Sequence, residues 1–237
     1  MATPYAIVEL ESAESTQDEA RARSDGRRPT LVIAEHQPAG RGRLGRSWVE
    51  PNRALFSSFA FDPAWPILTW SRVPLVAGLA VREAIDEQCG ITVGLRWPND
   101  LVVEDGKIGG LLVESADGLV VVGCGINLVW DDPMTGAAAL PTWGAKPVPA
   151  RDLAVAWVER FLERMSRSPD AWGVEEYRRA CVTVGRVVSY PSGAGTAVGI
   201  SNEGALLVET STGLVPVDSG EVRLHDPATL RDDRRAT

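Results

Sequence analysis

The alternation of hydrophobic and polar positions predicts a regular order of strands and helices in the first 90 residues. Apolar and β-branched runs predict strands at residues 6–10, 30–35 and 54–61. Apolar residues at helical spacing predict a helix over residues 70–88. An earlier helix is expected to open near Thr16, because Thr16 and Glu19 have the spacing of a capping box.

Four further strand patterns are separated by short turns, and they indicate how the sheet is connected. They cover residues 93–97, 101–104, 107–115 and 119–127, with Asp-Gly turns after Glu104 and Ala116. Strands joined by such tight turns must run antiparallel. The sequence therefore predicts a mixed or antiparallel sheet flanked by helices, and it excludes a doubly wound parallel sheet.

The pattern changes near residue 183. Before it, an amphipathic helix is predicted over residues 151–165 and another at 172–181. After it, short β runs alternate with glycine-containing turns, which predicts a small SH3-like β-barrel. The expected organisation is an α+β chain with a catalytic domain at residues 1–182, a C-terminal β domain at 183–226 and a flexible tail at 227–237.

Composition narrows the classes of function. The chain has 237 residues, a formal net charge of -8 and only two histidines. An acidic chain repels phosphate backbones, which disfavours binding to DNA. Its three cysteines form no C-x-x-C motif, and no apolar run is long enough to span a membrane. These features, with no signal-like N-terminus, predict a soluble cytoplasmic protein.

A loop rich in glycine and arginine, which we call the glycine–arginine loop (residues 40–48), reads GRGRLGRSW. Its G-x-G-x-x-G spacing is typical of dinucleotide-binding turns, but that reading needs a following helix, and Pro51 and Asn52 follow instead. Its three arginines supply fork-shaped donors for carboxylate or phosphate oxygens. The alternatives are a solvated arginine-rich loop and a loop that contacts RNA.

A second motif, RWPND, spans residues 96–100 and is followed across a predicted hairpin by Lys107. Asn99 and Asp100 suit a ribose or phosphate contact and a Mg²⁺ ligand. An ordinary Asx turn is the alternative for this pair, and a solvated turn lysine is the alternative for Lys107. Only two of the 24 basic residues are lysines, Lys107 and Lys146, which favours a specific need for an amine at Lys107.

Two glycines interrupt the last predicted strand of this region, in the segment GCGINL at residues 123–128. Glycines inside a strand often mark a backbone that a ligand approaches, and a β-bulge is the alternative. Cys124, between them, is interpreted as a small buried hydrophobe, because no partner base accompanies it.

Together these three motifs, in this order, resemble the biotin protein ligases. Ser15-Thr16, Gln37 and the C-terminal run GEVRL at residues 220–224 also match that family's pattern. The resemblance covers residues 7–224. The combination of the glycine–arginine loop with the downstream W-P-N-D is highly specific.

The resemblance implies a class II synthetase-like catalytic domain that works in two steps. Biotin and ATP, with Mg²⁺ near Asp100, form biotinyl-5′-adenylate, and a lysine of the biotin carboxyl carrier domain of an acyl-CoA or pyruvate carboxylase then attacks it. Lys107, Arg41 and Arg43 are the implied catalytic residues. The implied biotin contacts are Ser15, Thr16, Gln37, Gly40, Arg41, Lys107, Gly110 and Gly123, and the implied adenylate contacts are Arg43, Arg46, Trp48, Arg96, Asn99 and Asn127.

Two departures from the family pattern bear on detail. Arg96 stands where lysine is usual, and Gln17 replaces the usual asparagine after Ser-Thr. The family's winged-helix extension has no counterpart here, so a monofunctional ligase without DNA binding is expected; a homodimer is possible. The alternatives are a lipoate or octanoate ligase or transferase of the same superfamily, and a non-catalytic biotin sensor. Trp130 and Trp143 are candidates for stacking on adenine.

Overall fold

A computed structural model describes residues 3–24, 28–218 and 220–225. The tail predicted at residues 227–237 lies outside the described residues. Within them, no helix combines the length and the apolar character needed to cross a membrane.

A seven-stranded sheet forms the centre of the larger part of the chain. Its strands lie in the order β1–β2–β3–β7–β6–β5–β4, and only the β1–β2 pair is parallel, which confirms the predicted mixed sheet. The bounds are β1 Ala6–Ser12, β2 Thr30–His36, β3 Arg53–Phe61, β4 Gly94–Arg96, β5 Asp100–Val103, β6 Gly106–Ala116 and β7 Leu119–Val129.

Helices cover both faces of this sheet. The helices are α1 Thr16–Arg23, α2 Val73–Cys89, α3 Ala150–Met165 and α4 Val174–Ala180. Side chains alternate across a strand, so Leu31 and Ile33 join the main core with α2 and α3. Val32, between them, packs instead with Ala20 of α1. The face that carries α1 is also the face that holds the candidate site.

Two details of the helices differ from prediction. Helix α2 begins at Val73, because residues Ile67–Arg72 form a 3₁₀ helix before it. The capping box at Thr16 is wrong: Ser15 occupies the N-cap, and the Thr16 hydroxyl bonds to Gln37 instead of to the start of its own helix.

The C-terminal sheet is antiparallel, in the order β11–β10–β9–β8–β12. Its strands are β8 Val187–Tyr190, β9 Gly193–Ile200, β10 Leu206–Thr210, β11 Gly213–Val217 and β12 Arg223–His225. The five β runs predicted from the sequence are confirmed as one sheet, but its edge strands β11 and β12 do not pair, so the barrel is not closed.

The two sheets meet around β4. The Trp97 backbone N–H donates to the Thr183 hydroxyl at 2.9 Å, and the Trp97 indole donates to the Gly204 carbonyl at 3.0 Å. Hydrophobic residues of both sheets belong to one continuous core. The domain division at residue 183 stays a prediction.

Candidate active site

A cavity of about 220 Å³ opens on the α1 face of the large sheet. Strand positions two residues apart share a face, so the same face presents Ser58 of β3, Gly110 of β6 and Gly123 of β7. Residues of helix α1, of the glycine–arginine loop and of the C-terminal segment, Glu221 and Val222, surround this face of the sheet. Most residues of the predicted site line the cavity: Ser15, Thr16, Gln37, Arg41, Arg43, Arg46, Trp48, Arg96, Asn99, Asp100, Lys107, Gly110 and Gly123.

The glycines of β7 make room for side chains above the sheet. A Cβ atom at Gly123 would lie 3.0 Å from Gln17 Nε2, and one at Gly125 would lie 3.0 Å from the Trp48 ring. The register of β7 with both neighbours is unbroken through these glycines, so the β-bulge alternative is wrong. Cys124 is buried, and burial raises the pKa of its thiol well above the ordinary value, which agrees with its interpretation as an inert hydrophobe.

The inner part of the cavity is neutral and hydrogen-bonded. Gln37 Oε1 accepts from the Thr16 backbone N–H and from the Thr16 hydroxyl, each at 2.8 Å. Gln17 Nε2 donates to the Leu112 carbonyl at 3.1 Å, while Gln17 Oε1 is buried without a protein partner. The two amides therefore have fixed and opposite polarity toward the cavity: Gln37 offers a donor and Gln17 an acceptor.

Lys107 reaches the cavity as the hairpin pattern predicted. Its Nζ atom lies 2.7 Å from Asp100 Oδ1 and 5.6 Å from the centre of the Trp48 ring. Its backbone is held on both sides by the loop after β7, because Lys107 N–H donates to the Gly136 carbonyl and the Lys107 carbonyl accepts from Ala138. The solvated turn alternative for Lys107 is wrong.

Asn99 is fixed by its neighbours across the sheet. Its Nδ2 atom donates to the Leu111 carbonyl at 2.9 Å, and its Oδ1 atom accepts from Arg43 Nη1 at 3.0 Å. Asp100 is the first residue of β5. Asn99 lies in the turn between β4 and β5, but its side chain bonds to Arg43 and Leu111 outside that turn, which disfavours the Asx-turn alternative.

The arginines of the glycine–arginine loop contact three different parts of the chain. Arg41 donates two hydrogen bonds of 2.7 Å to the carboxylate of Asp18 in α1. Arg43 donates to the Gly220 carbonyl at 2.9 Å, and Arg46 pairs with Glu221. Burial lowers the pKa of Arg43 from its usual value. The loop is thus tied to α1, to the RWPND segment and to the C-terminal segment.

Two predicted contacts do not line the cavity. Gly40 is not among the lining residues, and a Cβ atom there would meet Gln37 Nε2 at 2.9 Å and Trp48 Cβ at 3.1 Å. Asn127 is buried, and its Nδ2 atom donates to the Ala138 carbonyl at 2.7 Å. Trp130 and Trp143 also lie outside the lining residues, whereas Trp48 and Trp97 are among them.

Arg96 lines the cavity, and its Nη2 atom donates to the Asp105 carbonyl at 3.3 Å. Its Nε atom is buried without a partner. The charge predicted at this position is therefore present at the cavity wall.

Sequence reasoning missed several lining residues, among them Gln17, Ser58, Glu221 and Val222. The signal for Gln17 was its place directly after Ser-Thr at the start of a helix. Ser58 follows Ser57 within an otherwise apolar strand pattern, which gives no signal of a functional hydroxyl. No local signal brings residues 221 and 222 to a loop more than 170 positions earlier in the chain.

Among residues 3–24, 28–218 and 220–225, no group of three or more His, Cys, Asp and Glu side chains could hold a metal ion. The cavity-lining carboxylates are Asp100 and Glu221. Mg²⁺ commonly uses one or two carboxylates together with substrate phosphates, so Asp100 is compatible with such a role.

The sequence matches two described families. Residues 10–128 match the Biotin/lipoate A/B protein ligase family, and residues 194–224 match the Biotin protein ligase C terminal domain. The biotin–[acetyl-CoA-carboxylase] ligase of Mycobacterium tuberculosis is 33% identical over 207 residues, which cover 81% of this chain and 77% of that protein.

Solved structures agree in fold. The biotin protein ligase of Aquifex aeolicus in complex with biotin and ATP superposes with a TM-score of 0.79 at 27% identity, covering 93% of this chain and 98% of that one. The Leishmania major enzyme in complex with biotinyl-5-AMP gives 0.68 at 27% identity, covering 94% and 100%.

The mixed sheet, the helices on its two faces and the cavity with its arginine-rich rim define a synthetase-like protein. The chain belongs to the Biotin/lipoate A/B protein ligase family. Within that family it resembles the biotin ligases, because its C-terminal sheet matches the domain described for them.

Proposed function

We infer that this protein is an ATP-dependent biotin ligase, which activates biotin as biotinyl-5′-adenylate and transfers it to a lysine of a biotin carboxyl carrier domain. One observation carries the assignment, which is that a single cavity combines neutral and charged groups. Its neutral residues Thr16, Gln17 and Gln37, which we call the neutral floor, lie in the same cavity as the Lys107–Asp100 pair and the arginines of the glycine–arginine loop. The relatives named as biotin ligases agree with it.

The neutral floor fits the ureido ring of biotin. A cyclic urea presents one carbonyl acceptor and two N–H donors, and Gln37 Nε2 and Gln17 Oε1 offer the complementary groups. The dithiolane ring of lipoate has neither group, so its binding would leave both buried amides unpaired, at a cost that makes such sites selective. The floor therefore supports biotin over the lipoate or octanoate alternative.

The charged part of the cavity suits the first step. The biotin carboxylate attacks the α-phosphate of ATP and pyrophosphate leaves, so two anions must approach each other. Lys107, Arg41 and Arg43 are positioned to offset that charge, and Arg46, Trp48, Arg96 and Asn99 are the proposed neighbours of the nucleotide. Positive charge fixed before the reaction costs no reorganisation during it.

Asp100 is the residue proposed to hold Mg²⁺ in this site. The metal would draw negative charge away from the phosphates when ATP is bound. Asp100 suits this task because its side chain is at the cavity wall, with Lys107 Nζ on Oδ1. Lys107 would then turn toward the biotin carboxylate and the phosphate.

The second step needs the mixed anhydride to be kept from water until the acceptor arrives. The glycine–arginine loop lies over the cavity and supplies that cover. The acceptor amine then attacks the biotinyl carbonyl carbon, AMP leaves, and the amine proton passes to solvent or to a nearby carboxylate. Which carrier protein docks, and whether two copies of the chain associate, stay predictions.

The decisive experiment is mass spectrometry of the products formed with biotin, MgATP and an isolated carrier domain, beside a parallel reaction with lipoate. Biotinylation of one carrier lysine with release of AMP and pyrophosphate is expected. Turnover of lipoate alone would overturn the proposal. Calorimetry with biotin and then ATP tests the sensor alternative, which predicts tight binding of biotin without formation of adenylate.

A further inference from the structure

Three buried hydroxyl and amide groups form a chain that ends in the cavity. The Ser58 hydroxyl lies 2.8 Å from the Thr16 hydroxyl, which lies 2.8 Å from Gln37 Oε1. Ser58 is completely buried in β3, and Thr16 and Gln37 are at most 9% exposed. Neighbours that are this well enclosed have few alternative partners.

The direction of each hydrogen bond follows from the chemistry of the groups. An amide oxygen only accepts, and Gln37 Oε1 also receives the Thr16 backbone N–H at 2.8 Å. The Thr16 hydroxyl proton must therefore point to Gln37. Its oxygen is then left as the acceptor, so the proton between Thr16 and Ser58 belongs to Ser58.

These hydrogen-bond directions fix the orientation of the Gln37 side-chain amide. With its oxygen held twice by Thr16, its Nε2 atom is turned to the other side, beside Gly40, where a Cβ atom would come within 2.9 Å of it. Gln37 lines the cavity, and because its oxygen already accepts two hydrogen bonds from Thr16, its NH₂ group is the part of the amide left for a ligand. Glycine at position 40 keeps that side of the amide open.

We propose that Ser58 is a positioning residue for biotin: by donating to Thr16, it holds the Gln37 amide with its NH₂ group toward the ureido oxygen. Ser58 acts through Thr16 and lies one bond further from the ligand. Without the Ser58 hydroxyl, the Thr16 oxygen is a buried acceptor with no donor. The Thr16 hydroxyl is then held less firmly in the orientation that donates to Gln37. The inference rests on the proposed function.

The strand offers a matched control. Ser57 precedes Ser58 in β3 and is also among the lining residues, but its hydroxyl is on the opposite face of the sheet, where it accepts from the Trp157 indole at 3.1 Å. It is as deeply buried as Ser58 but has no bond to Thr16. Loss of the Ser57 hydroxyl therefore reports the general cost of removing a buried serine from this strand.

The test is a double-mutant cycle with Ser58→Ala and Thr16→Val, read as KM for biotin, KM for ATP and kcat of adenylate formation. We expect Ser58→Ala to raise KM for biotin about 3- to 10-fold, the size of one neutral hydrogen bond, with little change in kcat or in KM for ATP. Ser58→Cys, which is slightly larger and retains a weak donor, should fall between. In the Thr16→Val background, Ser58→Ala should have no further effect on KM for biotin.

Thermal unfolding of each variant, with Ser57→Ala beside it, separates folding from binding. An unchanged KM for biotin in Ser58→Ala, or effects of the two substitutions that simply multiply, would overturn the role of Ser58. Equal increases of KM for biotin in Ser57→Ala and Ser58→Ala would do the same. A wild-type chain that binds and activates no biotin would instead overturn the proposed function, which the positioning role requires.

Discussion

Lys107 Nζ and Asp100 Oδ1 lie 2.7 Å apart on neighbouring strands, at the wall of the cavity. The hairpin between β5 and β6 produces this contact, because it places Lys107 opposite Val102 on the neighbouring strand, seven residues after Asp100 in the chain. A compact ammonium beside a carboxylate can exchange partners when phosphate arrives. The pair thus joins the proposed metal ligand to the proposed catalytic cation.

Lys107→Ala should slow adenylate formation by at least about 100-fold, the usual effect of removing one preorganised charge stabiliser. The measurement is biotin-dependent exchange of pyrophosphate into ATP. Lys146→Ala is the matched control, because Lys146 is the other lysine of the chain and lies exposed outside the cavity lining. Wild-type exchange by Lys107→Ala would remove this lysine from the mechanism.

Arg41→Ser should release the adenylate into solvent. Arg41 ties the glycine–arginine loop to α1 through two bonds to Asp18, and the loop without that connection covers the cavity less well. Biotinylation of lysines on an unrelated protein, such as albumin, measures the leak by mass spectrometry. If acceptor selectivity stays at the wild-type level, the enclosing role of the loop is wrong.

The Arg41–Asp18 ion pair predicts how the free energy of unfolding depends on pH. The hydrogen bond from Arg41 lowers the pKa of Asp18, so the pair contributes to folding above the ordinary aspartate pKa of about 3.9 and loses that contribution as pH falls through the lower folded-state pKa. Asp18→Asn should therefore differ from wild type in unfolding free energy at pH 7, by up to about 1 kcal/mol for so exposed a pair.

The difference in unfolding free energy between wild type and Asp18→Asn should shrink toward zero as the pH falls from 7 to 3. Urea unfolding of both proteins at pH 7 and near pH 3 checks it. A difference that is constant over this range would mean that the charge of Asp18 makes no contribution to folding.

Replacement of Arg164 should lower the stability of the fold without directly changing the candidate active site. The Arg164 side chain is 5% exposed, and it pairs with Glu83 of α2 at 2.9 Å and Glu176 of α4 at 2.7 Å. Arg164→Met should lower the free energy of unfolding by about 2–4 kcal/mol, because two carboxylates lose their partner.

Arg160→Met is the control for Arg164, on the same helix but with exposed partners Glu87 and Glu163. It should cost less than about 1 kcal/mol. Urea unfolding compares the two, and equal losses would contradict the importance of burial. The folded fraction of both variants should keep its adenylation rate.

Short sequence patterns predicted those features of the fold and the site that depend on residues close together in the chain. The glycines inside the predicted strand indicated a close approach to the backbone at Gly123 and Gly125, and the Asp-Gly turn predicted that Lys107 returns toward Asp100. The capping box at Thr16 was wrong because a distant partner, Gln37, competes for the same hydroxyl. Contacts of Arg43 and Arg46 with Gly220 and Glu221 join positions about 175 apart, which no spacing rule can anticipate.

Three of the five cations of the proposed site already pair with a carboxylate within the protein: Arg41 with Asp18, Arg46 with Glu221 and Lys107 with Asp100. Binding of a polyphosphate is then an exchange of ion pairs, in which carboxylates give up cations that phosphates gain. Added salt weakens both the pairs that break and the pairs that form. The affinity for ATP should consequently depend on ionic strength far less steeply than the number of cations around the cavity suggests.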